Sequence, residues 1–538
     1  MKLYNNISLS ENWPPRVLET TLDKPVGHFY EKPDVINVKI GRQLFVDDFL
    51  IKESTLERTY HQPKVRNEAV FYPETQLELN DGYCSCACPF NDGIFYDEED
   101  KVFKMWYHAG WFDGVAYAES KDGIHWKRLH EIYPDRKTDR VLEREFGTLR
   151  DGAAVWLDYE AKNKDEKFKM IVFYRKFDTD FKYYHLKPKH SHDRIGSTPP
   201  VEQTVLYKSA NGIDWTKVGI TTHTGDNTTF FYNPFRKKWV FSTRKFSSLD
   251  QRVRVRGYIE KDDILNGYTW NKEEEYFWNR TDIFDYPDPE LGYYTQLYGL
   301  DATPYESIML GVFSVFMGPP NNIAELYKTP KFCNLKIAYS RDGFSWDRGD
   351  YSDFLASSKK KGSFNCGYLH PVNGILNVVN DEIYFYFSAF TGISPNFGFH
   401  KYSGGNLCLA TLRRDGFVSL DAKEEGYVQT EKLEYNGDLL FVNADSSNGV
   451  LYCEVLDENG NVIEGYSKSD CKPVSIDNTK INIKWVGNNR LPKNKIISLK
   501  FYLEQSELYS FWISDHEEGK SYGYMAAGGP GFHKGKDQ

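Results

Sequence analysis

No stretch of the 538 residues reaches the roughly eighteen consecutive apolar positions that a membrane-crossing helix needs. The opening segment, MKLYNNISLSENWPP, has one lysine and no apolar core of signal-peptide length. The sequence as written therefore reads as cytoplasmic, and as secreted only if a leader has already been removed. Basic blocks are missing too. Lys and Arg total 67 against 77 Asp and Glu, a formal net charge of −10, which argues against nucleic acid as the main ligand. The eight cysteines are scattered and form no CxxC pair, so a disulfide scaffold is excluded. Cys84, Cys86 and Cys88 alternate along one apparent strand and share a face. A soft-metal site is one reading there, and small buried strand residues are the preferred one. Also absent are HExxH, a Gly-rich phosphate loop, a GxSxG elbow and an EF-hand loop. Metalloprotease, nucleotide-binding and serine-hydrolase chemistry lose their usual signatures with them.

What the chain has in excess is aromatic side chains, 16% of the total. Aromatics favour strands and offer flat platforms on which sugar rings pack. Five aromatic and β-branched segments recur: FKMWYHAG from Phe103, FKMIVFYR from Phe168, KWVFSTRK from Lys238, SIMLGVFS from Ser307 and EIYFYFSA from Glu382. Their starts lie 65 to 75 residues apart, the length of a four-stranded blade with generous loops. Three are followed by a strand, an Asp-Gly or Asn-Gly turn and a tryptophan: Trp126, Trp215 and Trp346. Such turns accept the positive φ angles of tight hairpins. LATLRRDGFVSL, from Leu409, is a divergent further copy. A strand-like segment ending in a polar turn precedes each aromatic strand. Helical periodicity is scarce, so the pattern predicts an all-β chain: a five-bladed β-propeller over 41–425.

After the repeats, LLFVNA, VLYCEVLD, INIKWVG, IISLKFYL and YSFWIS alternate with Gly- and Asn-containing turns. They predict a β-sandwich over 426–515. Residues 1–40 read as an N-terminal arm wrapped over the propeller or the sandwich. The Gly-rich 516–538 read as a flexible tail.

In a propeller the innermost strands line the channel, and their first residues converge at its mouth. Acidic residues stand at several of those starts: Asp151 after Arg150, Asp226 beside Asn227, and Asp288 with Glu290. Asp47 and Asp48 interrupt the apolar run LFVDDFLI. Glycosidic cleavage needs carboxylates around one pocket, one to protonate the leaving oxygen and another as nucleophile or base. Bland roles compete at each position. Asp226 is as well suited to capping a turn, Asp288 and Glu290 lie in the Pro-flanked loop YPDPELGYY, and Asp47 or Asp48 can pair with Arg42 or Arg58. A charged doublet opening GAAVWLD makes Arg150–Asp151 the least bland pair. His108, Trp111, His370 and His400 are candidates to stack on or hydrogen-bond a sugar, although a satisfied or surface histidine is the commoner role. Arg150, Arg244 and His370 are the cations a phosphorylase would use. No motif demands a metal or cofactor; a structural Ca²⁺ in the channel is compatible with carboxylate and carbonyl ligands.

The arrangement resembles the five-bladed furanosidase-type glycoside hydrolases, families 32 and 43 and their relatives. Arg150-Asp151-Gly152 is similar to the Arg-Asp-Pro motif of family 32, whose Asp stabilises the transition state. GRQLFVDDFLI, FKMWYHAG, YAESKDGIHW, LATLRRDGFVSL and LYSFWI resemble a bacterial family-32-like group across nearly the whole chain. The family 32 nucleophile motif, Trp-Met-Asn-Asp-Pro-Asn-Gly, and its Glu-Cys acid motif are absent, which sets fructan cleavage aside. By resemblance, Asp48 or Asp47 would be nucleophile or base, Asp151 the stabiliser, and Asp226 or Glu290 the acid. The expectation is a glycosidase acting from the end of a plant or microbial glycan on a furanoside or another terminal sugar. The alternatives are a non-catalytic carbohydrate-binding propeller, and a phosphorylase or lyase on the same scaffold.

Overall fold

A computed structural model describes residues 1–19, 26–82, 84–145, 147–177, 200–396 and 398–538. It is a five-bladed β-propeller joined to a β-sandwich. The five aromatic segments are the second strands of the blades: Val102–Ala109, Phe168–Lys176, Lys238–Phe246, Ile308–Gly318 and Glu382–Phe390. Each pairs antiparallel with an inner strand: Ala87–Asp97, Thr148–Leu157, Thr229–Asn233, Gln296–Glu306 and Gly367–Val379. These central strands are buried on both faces, which is why their alternation gives way to near-continuous apolar and aromatic runs.

The Asp-Gly and Asn-Gly turns do more than reverse the chain. In each, a serine two residues ahead bonds the Asp or Asn side chain, which accepts backbone N–H groups beyond the glycine (Ser120–Asp122, Ser209–Asn211, Ser340–Asp342). The turn's own carbonyl is then bonded by an aromatic side chain of the preceding blade. Trp106 Nε1 donates to Gly212 at 2.7 Å, Trp278 Nε1 to Phe344 at 2.9 Å, and Tyr386 Oη to Gly123 at 2.8 Å. Each such latch contributes about 1 kcal/mol beyond the burial of its ring. Serine, Asp-Gly and aromatic residues therefore recur together because they build one inter-blade joint.

The ring closes with a borrowed strand. Lys64–Val65 pairs with Thr411 and Ala410 on the third strand of blade 5, so the propeller's strands run from 64 to 413 rather than from 41 to 425. The strands between 43 and 60 and between 418 and 514 pair in the sandwich sheet. Its long strand, Ser498–Ser514, pairs with Val418–Thr430, Leu439–Asp445, Val450–Leu456 and Gln43–Leu44. Ile51–Ser54 and Glu57–Tyr60 extend the sheet from Val418–Thr430. In the arm, of which 20–25 lie outside the described residues, Leu3, Ile7 and Leu9 pack into the sandwich core beside Phe501 and Phe511.

The segment after 515, expected to fray, is instead docked against the propeller. Tyr524–Met525 adds a short strand to the inner strand of blade 4. The Ala527 carbonyl accepts from Tyr96 N of blade 1, and the Gly528 carbonyl from Val378 N of blade 5. Met525 and Ala527 are fully buried. The glycines that suggested mobility serve close approach: a Cβ on Gly529 would stand 1.8 Å from the Val378 carbonyl oxygen. This segment thus covers the lower ends of three inner strands. Higher up, Asn373 reaches from blade 5 across the axis to the carbonyls of Val155 and Phe230 in blades 2 and 3. Among the described residues, Asn373 and the 524–529 segment together lie across the lower part of the channel.

Candidate active site

At the upper end, bulges decide which side chains face the axis. An extra residue in one strand of a pair re-aims its side chain. In blade 2, Arg150 pairs with Tyr174 and Gly152 with Phe173, leaving Asp151 as the bulged residue. In blade 4, Leu297 pairs with Val315 and Gly299 with Ser314, leaving Tyr298. Four residues, Pro89 to Asp92, bulge from blade 1, and another register shift flanks Tyr368 and Leu369 in blade 5. Phe90 and Tyr368 hold φ angles of 57° and 56°. Such angles are strained for bulky residues, and strain of this kind gathers at working sites.

Blades 2 and 3 make one side of the mouth, and it is ionic. Arg175, at the end of blade 2's second strand, donates to Asp151 at 2.7 Å, Glu202 at 2.6 Å and Asp226 at 3.1 Å. Arg244 of blade 3 meets Asp226 at 3.0 Å and Glu202 at 3.6 Å. His223 Nε2 stands 3.0 Å from Glu202. One guanidinium thus spans Asp151 and Asp226, which keeps their oxygens inside the roughly 9.5 Å upper bound for cooperating glycosidase carboxylates. Burial pushes the Asp151 carboxyl up to about 6; Arg175 opposes the shift and Asp226 reinforces it. Glu202 is held below the ordinary carboxylate range, first by its bond to His223.

Blades 4, 5 and 1 make the other side, and it is aromatic. Phe90 lies against His370 at 3.9 Å between ring centroids, and Trp111 stacks on His108 at 4.9 Å and on Tyr402 at 5.0 Å. Tyr298 and Tyr368 complete the wall, their hydroxyls 3.2 Å apart. Among the described residues, neither ring nitrogen of His108 nor Nε2 of His370 has a hydrogen-bond partner. Burial lowers the pKa of both rings well below the usual histidine range, so they are neutral at physiological pH. Deeper in the channel lie Asp92, raised by burial to about 7, and Asp301, raised to about 6.

Of the residues singled out in the sequence, Asp151, Asp226 and Arg244 come together at the mouth, with His108, Trp111 and His370 opposite them. His400 lies behind that wall, its Nδ1 3.5 Å from Cys84 Sγ. Arg150 is not part of the mouth. Fully buried, it points away from Asp151 and bonds Asp92 of blade 1. Asp47 is a structural residue: Arg341 grips both its oxygens at 2.9 and 3.0 Å and, outweighing burial, holds its pKa low. Asp48 is 83% exposed and bonds Arg58, the partner weighed for it from the sequence. Asp288 and Glu290 share Lys359, and Glu290 is 78% exposed. Among the described residues, none of Asp47, Asp48, Asp288 or Glu290 forms a hydrogen bond or ion pair with the carboxylate cluster. Cys84, Cys86 and Cys88 are buried, with Cys86 and Cys88 sulfurs 3.5 Å apart. Among the described residues no three His, Cys, Asp or Glu side chains gather as a metal-ligand set.

No protein-family model matches this chain, and no curated protein matches its sequence. Solved structures do. An N-acetylgalactosamine deacetylase from F. plautii, in complex with blood group B trisaccharide, aligns over 65% of this chain and 97% of its own, with 11% identity and a TM-score of 0.40. An exo-β-1,3-galactanase from Phanerochaete chrysosporium, with β-1,3-galactotriose, aligns over 83% and 99%, with 10% identity and a TM-score of 0.36. A fructofuranosidase from Schwanniomyces occidentalis, with fructosylnystose, aligns over 82% and 98%, with 10% identity and a TM-score of 0.34.

Sequence reasoning missed Arg175, Glu202, His223, Tyr298, Tyr368 and Lys331. A signal existed for the first. The second strand runs antiparallel to the inner one, so its last residues rise to the mouth, and FKMIVFYR ends in Arg175. Glu202 then follows from register, since it pairs with Arg175 across the next ladder.

Proposed function

We propose that the protein is a glycoside hydrolase that removes a furanoside, or another compact terminal sugar, from the end of a plant or microbial glycan. The observation that carries this reading is the mouth itself: Asp151, Glu202 and Asp226 gathered on Arg175, facing an aromatic wall. Asp151, with its raised carboxyl, is the proton donor to the leaving oxygen. Asp226 and Glu202 supply negative charge near the oxocarbenium-like centre. The packed rings of Trp111, Phe90 and Tyr368 form the apolar side of the site. The exo reading draws support from the lower part of the channel, which Asn373 and the 524–529 segment cross, since a chain that cannot pass through enters tip first.

The other two readings fare worse on the same geometry. A binding propeller has no need for three carboxylates at its mouth. A phosphorylase needs cations for phosphate, yet Arg150 is committed to Asp92, and Arg244 to Asp226 and Glu202.

Aryl furanosides and pyranosides assayed side by side, with and without phosphate, test the proposal. The expected result is phosphate-independent release from a furanoside, reduced at least ~100-fold by Asp151→Asn. Full turnover by Asp151→Asn on every cleaved substrate, or release that requires phosphate, would overturn it.

A further inference from the structure

Lys331 stands just before the third strand of blade 4, 3% exposed. Buried lysines ordinarily pair with a carboxylate or lose their charge. Among the described residues no carboxylate bonds this one. Its ammonium instead donates to the Tyr298 hydroxyl at 3.0 Å and the Tyr368 hydroxyl at 3.1 Å. The rings of Tyr298, Phe316, Tyr368 and Tyr402 surround it at 4.2 to 5.3 Å. With the two phenol oxygens 3.2 Å apart, one phenol donates to the other, and one hydroxyl proton remains to be held or released.

A second cation acts on the same ring, because the Arg254 guanidinium lies 5.1 Å above Tyr298. Burial alone would raise this phenol, but Lys331 and Arg254 outweigh it and bring Tyr298 below the ordinary tyrosine range. Tyr368 goes the other way, raised by burial and by its neighbour Tyr298. The charged and titratable groups around Tyr298 are Lys331, Arg254, Arg256 on its carbonyl, Tyr368, His370, and Asp226 across the mouth. Among the described residues, the carboxylates on this side lie deeper in the channel, Asp301 on the same inner strand and Asp92 of blade 1. Blade 1's inner strand presents cysteines and Phe90 there, and its Asp92 is bound to Arg150. Tyr298 nevertheless sits at a bulge like that of Asp151, one residue re-aimed at the same axis.

We propose that Tyr298, held by Lys331 and Tyr368, is the proton acceptor of the hydrolysis, in the place of a second catalytic carboxylate. This rests on the glycosidase reading given above. A water molecule gives a proton to the Tyr298 phenolate as its oxygen bonds to the anomeric carbon. The glycosidic C–O bond breaks, its electron pair goes to the leaving oxygen, and the Asp151 carboxyl protonates that oxygen. The products are a free sugar and an alcohol. Tyr298 ends as the phenol and Asp151 as the carboxylate, and exchange of one proton through solvent resets both. Direct attack by water predicts inversion at the anomeric carbon.

Ultraviolet difference titration of phenolate, which needs no substrate, is combined with kinetics of Tyr298→Phe, Lys331→Met and Asp151→Asn. Expected is a one-tyrosine step in the wild type below the ordinary phenol value of about 10. It should vanish in Tyr298→Phe and move upward in Lys331→Met, while Tyr298→Phe lowers kcat/KM by ~10²–10⁴-fold. If Lys331→Met fails to fold, Tyr298→Phe carries the test alone. A low step that survives Tyr298→Phe overturns the assignment, as does the absence of any such step in the wild type. Wild-type turnover in Tyr298→Phe while Asp151→Asn is inactive removes Tyr298 and leaves the hydrolase reading standing. Full turnover in Asp151→Asn overturns that reading, and the step written here with it.

Discussion

The mouth and the joint between propeller and sandwich hold the same ionic inventory, two arginines and three carboxylates, put to different use. At the mouth, Arg175 and Arg244 meet Asp151, Glu202 and Asp226. At the covered joint, Arg42 and Arg414 meet Glu306, Asp415 and Asp537. Neutral donors join the covered network. Tyr305 and Ser510 bond Asp415 at 2.6 and 2.7 Å, Ser521 bonds Glu306 at 2.7 Å, and Arg42 lies 4.0 Å over the ring of Trp512. Against the pull of burial, the arginines hold Asp415 and Asp537 low. Glu306 is pushed up by burial, but it is fully enclosed. At the mouth the carboxylates are 11 to 23% exposed, and Asp151 is raised within reach of solvent. Composition therefore does not separate cement from machinery. The full enclosure of Glu306 and Asp415, against the partial exposure of Asp151, Glu202 and Asp226, does.

Paired substitutions break or sharpen that contrast. Asp226→Asn at the mouth should lower kcat/KM about 10³-fold, about 4 kcal/mol of transition-state stabilisation, with an unfolding midpoint close to wild type. Asp415→Ala at the covered joint should do the reverse. It takes from buried Arg42 its 3.0 Å carboxylate contact, costs ~3–5 kcal/mol in denaturant unfolding, and keeps the turnover of each folded molecule. Should both variants lose stability alike, the division fails.

The next effect is smaller and depends on pH. Folded Asp151 keeps its proton to about pH 6, whereas an unfolded aspartate releases it near ~4. The folded state binds the extra proton in that window, so this contribution to stability is whole below ~4 and is lost as pH rises through 6. Thermal unfolding of wild type against Asp151→Asn should show the wild type falling behind by on the order of 1–3 kcal/mol between those limits. A constant difference across the range would contradict it. Smallest of all, Asp48→Asn and Glu290→Gln should shift stability by less than ~0.5 kcal/mol and leave kinetics untouched. A larger loss of activity in either would move the site outward from the channel.

The propeller was legible because its strands repeat a joint. Phe103, Phe168, Lys238, Ser307 and Glu382 mark the second strands to within a residue, since every blade must bury the same aromatic layer and hook the same turn. Domain limits were less legible. Gln43–Leu44 and Val418–Thr430 read as propeller yet pair within the sandwich, and strand propensity is silent about partners. The site was legible only where a residue's place in its own strand decides its direction, as for Asp151. Asp47 and Asp48 show the limit. Two carboxylates in an apolar run attract attention, and nothing local reveals that Arg341, nearly three hundred residues on, is waiting for one of them. Lys331 left no trace, because its surroundings come from segments of blades 4 and 5 spread over more than a hundred residues.

The borrowed strand that closes blade 5 also sets how the chain reaches and keeps its fold. Lys64–Val65 must find Ala410 and Thr411 across roughly 350 residues. During synthesis four blades therefore form an open arc, with an unpaired edge at either end, before the fifth can join them. Closure comes late and over a long loop, which makes refolding slow. The same geometry works in reverse once the ring is shut. Aromatic latches join blades 1 and 2, 3 and 4, and 5 and 1, so the short strand is one of two ties across the closing blade. Detachment of that two-residue strand is a local opening that leaves the sheets of the other four blades paired.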